Sequence, residues 1–322
     1  MVDLTQLSVL RFKPVYQERV WGGRTLESLY NRRLPLAGLS YGESWEICDR
    51  EEAQSVVNGG PLDQWTFHDL WTKARAEVFG ADYLDHPAGR FPLLIKILDA
   101  QDDLSIQVHP DDRSAALVNG EAKSEAWFIA QASTGAQLYA GLREGVTEET
   151  FKQSLEDGTV ADQVQTLNVV NGDCLAIPGG TVHAIGAGLV IFEVQQNSDT
   201  TYRVFDWNRV GLDGVPRQLH KEEALKVLDF HAPPTLLQRP HDENLLDWSY
   251  FKLDRWVGTK FEQRQAPNPG RFVIGDVVEG EITCDGASLA AGDFFLLPAN
   301  LKKEQREIHI ASANATILWI ML

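Results

Sequence analysis

Apolar and polar residues alternate along most of this chain with a period of two, and only three stretches change to helical spacing. A period of two is the mark of a strand with one buried face, because successive side chains point to opposite sides. Val9–Trp21 alternates and ends in the turn Trp21-Gly22-Gly23. In Gly42–Cys48, Trp45 and Ile47 share one face, while Ser44, Glu46 and Cys48 share the other; Glu43 and Glu46 read first as a solvated edge, with a pocket-facing Glu46 as the alternative. Phe91–Leu98 is an apolar strand broken by one charge, Lys96, and burying an unpaired ammonium is costly. Lys96 must reach the surface, pair with an acid or face a polar cavity. The flanking Leu94 and Leu98 favour the cavity.

Two further stretches carry most of the polar chemistry. In Leu104–Ile129, Ser105, Gln107 and His109 share a face up to the turn Pro110-Asp111-Asp112, and Lys123, Glu125 and Trp127 share a face of the next strand. In Gly172–Trp207, the turn Gly172-Asp173 leads through an apolar run to a sharper turn, Pro178-Gly179-Gly180, and then to His183. Leu189, Ile191 and Glu193 alternate on the strand that follows, and Thr201–Trp207 carries Arg203.

Helical spacing occurs over Asp63–Gly80, with Phe67, Leu70, Trp71, Ala74 and Val78 as a core stripe, over Thr147–Gly158 and over Leu219–Phe230. Thr147 is a capping residue, and Glu148 and Glu149 suit a helix N-terminus. His231–Thr235, extended by Arg239-Pro240, reads as a linker, and strands resume from about Trp248. There the run Gly292-Asp293 to Leu297-Pro298 echoes Gly172-Asp173 to Ile177-Pro178, but no histidine follows it. The pattern predicts a mainly-β chain of two barrel halves with a few packing helices. The expected domains are 1–231, which carries the site, and 240–322, which lacks ligands.

Composition narrows the chemistry. The net charge of −17 over 322 residues argues against nucleic acid as a partner, since phosphate backbones need clustered Lys and Arg. The same charge repels a phosphorylated small molecule, so any such substrate needs cations gathered locally. Cys48, Cys174 and Cys284 are widely spaced without a CxxC pair, which disfavours a disulfide framework or a thiolate zinc site and fits a reducing cytoplasm. No run approaches the roughly 18 apolar residues of a membrane span, and the N-terminus does not read as a signal peptide. Oligomeric state is not legible.

Gln107, His109, Glu125 and His183 form a plausible four-ligand set, since zinc accepts mixed N and O donors. Each has a bland alternative as a hydrogen-bonded or outward-facing residue, and polar pairs at i and i+2 are common on exposed strands. Arg203 in particular reads equally well as a rim arginine paired with Asp199.

The motifs SIQVHPDD, KSEAWFI, GDCLAIPGGTVHAI and YRVFDW, in this order, resemble the type I phosphomannose isomerases of the cupin superfamily. WGG at Trp21–Gly23 and GESWEI at Gly42–Ile47 resemble the shorter bacterial branch. The resemblance covers most of residues 10–230 and is looser beyond. It implies cupin (jelly-roll) barrels and an aldose–ketose isomerase that interconverts mannose 6-phosphate and fructose 6-phosphate with one zinc ion per chain. It implies metal ligands at Gln107, His109, Glu125 and His183, an active-site arginine at Arg203, and pocket residues at Lys96, Ser105, Lys123 and Glu193. Two features depart from the wider family: the chain is too short for the helical insertion of longer members, and Ser124 stands where the KTE-type motif has Thr.

Such a reaction needs a base beside a carbonyl and a cation for the developing oxyanion. Lys96, Lys123 and Arg203 are the available cations, with Lys96, Ser105 and Arg203 as substrate-binding candidates. Arg203, Lys123 and Glu193 are the catalytic candidates, and the proton carrier is either Glu193 or a lysine of lowered pKa. The alternatives are a non-catalytic sugar-phosphate-binding cupin and an iron-dependent cupin oxygenase. Three cations around the site suit an anionic sugar phosphate better than the latter.

Overall fold

A computed structural model describes residues 3–233, 235, 237 and 243–322. Pro234, Arg239 and Pro240 of the expected linker lie outside the described residues. The chain is mainly β, with several antiparallel sheets and few, short helices. It divides into two compact units that interleave in sequence. One comprises Met1–Val15, Trp45–Leu93 and Pro240–Leu322, and the other Tyr16–Ser44 and Leu94–Arg239. The sequence marks one cut at 231–240, whereas the contacts group residues 45–93 with the C-terminal strands.

The first unit holds a seven-stranded and a four-stranded sheet. Its helical stretch is shorter than the apolar spacing suggests. Thr66 and Asp69 form a capping box, Thr66 Oγ1 accepting from Asp69 N at 3.0 Å, so the helix starts at Phe67 rather than Asp63. Ala74, with φ −135° and ψ 32°, breaks it into Phe67–Lys73 and Arg75–Val78. Phe67, Trp71, Phe79, Phe91 and Phe272 pack ring against ring in the core of this unit.

The second unit also holds two sheets, and it carries the polar chemistry. One sheet has the strand order Cys174–Ile177, Glu125–Ala132, Leu189–Gln196, Leu93–Ala100, Tyr41–Ile47, Val15–Gly23. The other runs Tyr202–Phe205, Ile106–Val108, His183–Ile185, Gln137–Leu142, Val164–Asn168. Strand alternation sorts the second sheet cleanly. Ile106, Val108, Val182, Ala184 and Val204 belong to one apolar cluster with Phe151 and Leu155 of helix Glu148–Asp157 and Val227 of helix Lys221–Val227. These helices therefore cover one face and leave Gln107, His183 and Arg203 to the other. On that inner side Leu104, Trp127, Leu138, Ile177, Ile185 and Ile191 form a second apolar cluster.

Thr147 caps its helix as expected, and Gly158, at φ +72°, ends it in the left-handed region that glycine tolerates. The last helix runs only over Lys221–Val227, because His220 and Leu228 at its two ends have non-helical backbone.

The internal repeat is real in three dimensions. Gly172 and Gly292 have φ of +86° and +85°. Asp173 Oδ2 accepts from Val170 N at 2.9 Å, and Asp293 Oδ2 accepts from Ala290 N at 2.9 Å. The same turn thus feeds Cys174–Ile177 and Phe294–Leu297. The first copy continues into the strand bearing His183, the second into a short 3-10 turn at Lys303–Arg306.

Candidate metal centre and active-site cleft

Register brings the polar residues together. On one sheet Gln107 pairs with His183 on one side and with Arg203 on the other, so the three form a row across neighbouring strands. On the facing sheet Glu125 pairs with Gln195 and Trp127 with Glu193. The two faces meet at a carboxylate: Glu125 Oε1 lies 3.4 Å from His183 Nε2, and Oε2 lies 3.6 Å from His109 Nε2. All three side chains are fully buried. Their donor atoms lie within 4.8 Å of one another, a spacing that could hold a metal ion.

The imidazoles are prepared for ligation. His109 Nδ1 lies 2.8 Å from Thr200 O, and His183 Nδ1 lies 2.8 Å from Thr181 O. A carbonyl only accepts, so each Nδ1 carries the proton and each Nε2 keeps a lone pair on the side of Glu125, where that of His109 lies 3.2 Å from Lys123 Nζ. Burial pushes His183 down to about 4. It pushes His109 well below the ordinary imidazole range, and the Lys123 ammonium lowers it further. Both rings are neutral at pH 7, the form that binds metals.

Glu125 completes the test of fit. Lys123 Nζ stands 2.8 Å from its Oε2 and satisfies that oxygen, yet among the described residues the buried Oε1 takes part in no hydrogen bond. Buried carboxylate oxygens normally take part in one, and a cation shared with two imidazoles would satisfy it. The Gln107 amide Nε2 lies 3.4 Å from His183 Nε2, and its Oε1 accepts from Ser105 Oγ at 3.2 Å. An amide can offer its oxygen as a neutral fourth donor by turning over. The donor set therefore fits a divalent metal.

The donor-bearing stretches are fastened together by a loop without side chains. Gly179 N donates to Ser124 Oγ at 3.0 Å, and Gly180 N donates to His109 O at 2.7 Å. A Cβ on Gly179 would lie 2.6 Å from Asp111 Cα and 2.7 Å from Pro110 O. Ser124 thus keeps a structural use for its hydroxyl.

A cleft of about 590 Å3 opens beside these donors. Lys96, Ser105, Gln107, Lys123, His183, Glu193 and Arg203 all line it. Lys96 faces this cavity and also pairs with acids, 3.3 Å from Glu193 Oε2 and 3.8 Å from Glu43 Oε2. Glu43, itself bonded to Arg19 at 2.8 Å, is only 9% exposed and Glu46 2%, so the solvated edge expected for them is corrected. Both faces of their strand are covered, which one period of alternation cannot reveal. Glu193 Oε1 accepts from Trp127 Nε1 at 3.1 Å. Burial raises the Glu193 carboxyl above its usual range, and the nearby Glu125 adds to this. For Lys123, burial opposes the charged form, but Glu125 and Glu193 outweigh it and raise its pKa, so it stays an ammonium.

Arg203 donates from Nε to Ser105 Oγ at 3.1 Å and from Nη1 to Gln218 O at 3.1 Å. No carboxylate partners it among the described residues, and the Asp199 rim pair is not formed. Sequence spacing missed Arg19, Glu43, Asp199, Arg217 and His220 on the cleft wall. Arg217 and His220 lie in or beside a loop, where no periodicity marks them.

The family model for the type I phosphomannose isomerase catalytic domain matches residues 9–127. The mannose-6-phosphate isomerase ManA of Bacillus subtilis is 35% identical over 307 residues, covering 91% of this chain and 93% of its own. The chain belongs to the mannose-6-phosphate isomerase family. A second member of this family, the mannose-6-phosphate isomerase of Streptococcus mutans, is 33% identical over 89% of this chain and 92% of its own. The crystal structure of the Bacillus subtilis mannose 6-phosphate isomerase superposes with a TM-score of 0.84 at 28% identity, covering 98% of this chain and 100% of that one. A mannose 6-phosphate isomerase solved bound with zinc and yttrium shares the fold at 17% identity and a TM-score of 0.74, covering 98% of this chain and 100% of that one. The cupin-type fold class read from the sequence holds. Among the described residues no helix is long and apolar enough to cross a membrane.

Proposed function

We propose that this chain is a metal-dependent isomerase that interconverts mannose 6-phosphate and fructose 6-phosphate, with zinc as its metal. One observation carries the reading: two neutral imidazoles and a buried carboxylate bring their ligand atoms within 4.8 Å of one another, beside a cleft lined by Lys96, Glu193 and Arg203. His109, Glu125 and His183 would hold the ion, with Gln107 as the fourth donor. Two nitrogens and two oxygens make a set that zinc accepts.

When bound, the ion supplies Lewis-acid charge near the sugar oxygens. The residues do the rest. Glu193, whose carboxyl burial raises toward neutrality, is suited to take a proton from one carbon and return it to the next. Lys96 and Trp127 hold that carboxylate in place. Lys123 remains charged, which makes it a stabiliser of the enediolate rather than a base. Arg203, lacking a carboxylate partner, has its cation available for the developing oxyanion. The apolar cluster beneath the cleft limits water at the reacting carbons.

The test combines metal analysis of the purified protein with a coupled assay for fructose 6-phosphate, comparing mannose 6-phosphate with glucose 6-phosphate. Tight binding of the sugar phosphate without turnover would favour the non-catalytic binding protein. The expected result is one zinc per chain and turnover of mannose 6-phosphate.

A further inference from the structure

We infer that Arg19 is a positioning residue for the proton transfer: from the edge of its sheet it fixes Glu43, and through Glu43 it sets how Lys96 is shared with Glu193. The inference rests on the isomerase reading above, in which Glu193 carries the proton.

The four residues stand on four successive strands. In the six-stranded sheet Leu189–Gln196, Leu93–Ala100, Tyr41–Ile47 and Val15–Gly23 are neighbours in that order, and they carry Glu193, Lys96, Glu43 and Arg19. The side chains are joined in the same order. Glu193 Oε2 lies 3.3 Å from Lys96 Nζ, that ammonium lies 3.8 Å from Glu43 Oε2, and Glu43 Oε1 accepts from Arg19 Nε at 2.8 Å. Trp127, on the strand beyond Glu193, donates to Glu193 Oε1 at 3.1 Å and ends the row. Charges alternate along it, and each carboxylate turns one oxygen to either side.

The contacts are unequal. At 3.8 Å the Lys96–Glu43 contact is past hydrogen-bond reach, whereas Arg19–Glu43 is a short, charge-assisted bond. Lys96 therefore leans toward Glu193. Both Lys96 and Glu43 are buried, where opposite charges are screened little. A Glu43 released by Arg19 would close on the ammonium and draw it from Glu193. The bond to Arg19 holds Glu43 back.

Arg19 is placed for this task. Its strand is the last of the sheet, and its side chain is 29% exposed against 5% for Lys96 and for Glu193. Gly42 makes its room, since a Cβ there would lie 2.6 Å from Arg19 Cβ. A change at this edge thus alters the charge row at the base without opening a cavity beside the metal donors. Arg19 and Glu43 also line the cleft, so direct contact with the sugar phosphate is the competing role.

Steady-state kinetics of Arg19→Gln and Arg19→Lys with mannose 6-phosphate separate the two, read beside zinc content and crystal structures of Arg19→Gln and Glu43→Gln. Arg19→Gln is expected to lower kcat about tenfold, within the coupling that members of one charge network show, with KM and bound zinc little changed. Arg19→Lys should restore most of the rate, because the bond to Glu43 comes from Nε, a position that a lysine Nζ can reach. In Arg19→Gln the Lys96–Glu43 distance should fall below 3.8 Å and the Lys96–Glu193 distance should rise above 3.3 Å. Glu43→Gln should leave Lys96 wholly with Glu193. A raised KM with kcat unchanged would make Arg19 a substrate contact and overturn the inference. An unaltered kcat, or an Arg19→Lys enzyme no faster than Arg19→Gln, would overturn it as well. If the wild-type protein fails to turn over mannose 6-phosphate, the isomerase reading falls, and the two distances alone decide whether Arg19 sets the position of Lys96.

Discussion

Lys96 Nζ lies 3.3 Å from Glu193 Oε2, two opposite charges buried on neighbouring strands of one sheet beside the metal donors. Buried pairs of this kind add little net stability, because desolvation offsets their attraction. Its position on the cleft wall gives the pair a chemical use instead. The ammonium keeps the carboxylate oriented, and burial keeps its proton affinity high.

Glu193→Gln should therefore lower kcat by about 10²- to 10⁴-fold, the usual contribution of a positioned base, while bound metal is unchanged. Because burial raises the Glu193 pKa, the wild-type rate should fall as pH drops through a value above the ordinary 4.5 of a glutamate. A pH–rate profile whose acid limb survives in Glu193→Gln would assign the base elsewhere.

For Arg203 the discriminating quantity is the split between kcat and KM. Arg203→Ala should cut kcat by about 10²- to 10³-fold, as for loss of one oxyanion donor, and raise KM less, because the contact strengthens in the transition state. Zinc content should hold. Near-normal kcat in a folded, zinc-loaded variant would remove Arg203 from the chemistry.

Metal content reports on the donors directly. His109→Ala and His183→Ala should each lose most bound zinc by elemental analysis after gel filtration, and Gln107→Ala should only weaken it. His309, in the other unit, is partly exposed and sits 3.4 Å from Glu307. His309→Ala should leave one zinc per chain, and a second zinc lost on that change would contradict a ligand-free C-terminal half.

His183 also makes a prediction about stability in the metal-stripped protein. Its folded pKa is about 4 against an ordinary 6.5. Between these values the unfolded chain binds the proton and the folded chain does not, so stability falls as pH drops from 6.5 toward 4 and is flat on this account above 6.5. Urea titrations across that window should show the slope, reduced in His183→Gln.

Strand alternation and turn chemistry write part of this site into the sequence. His109 and Glu125 were legible because strand alternation fixes which side chains share a face. His183 was legible because a Pro-Gly-Gly turn announces where its strand begins. The doubled glycine–aspartate turn was legible because its conformation demands those residue types. Glu43 was not, since a strand buried on both faces carries no contrast between faces. The Lys96 partner was not, because it comes from a strand almost a hundred residues away. Arg217 was not, because a loop has no period, and only the folded loop places it beside the cleft. The non-helical backbone at Ala74 and His220 was not, because helix propensity is a weak guide to where a helix ends.

The Pro178-Gly179-Gly180 turn has a consequence for how variants of this protein would be interpreted. Gly179 is not among the cleft-lining residues, yet any side chain there would press on Pro110 and Asp111, the two residues that follow His109. The same residue anchors Ser124, next to Glu125. A mutational scan would score position 179 as intolerant alongside the ligands themselves. The inactive variants would resemble active-site knockouts in a screen, although the lesion is a wedge driven between two loops. Restoring activity by raising the zinc concentration would separate such wedge variants from true ligand losses.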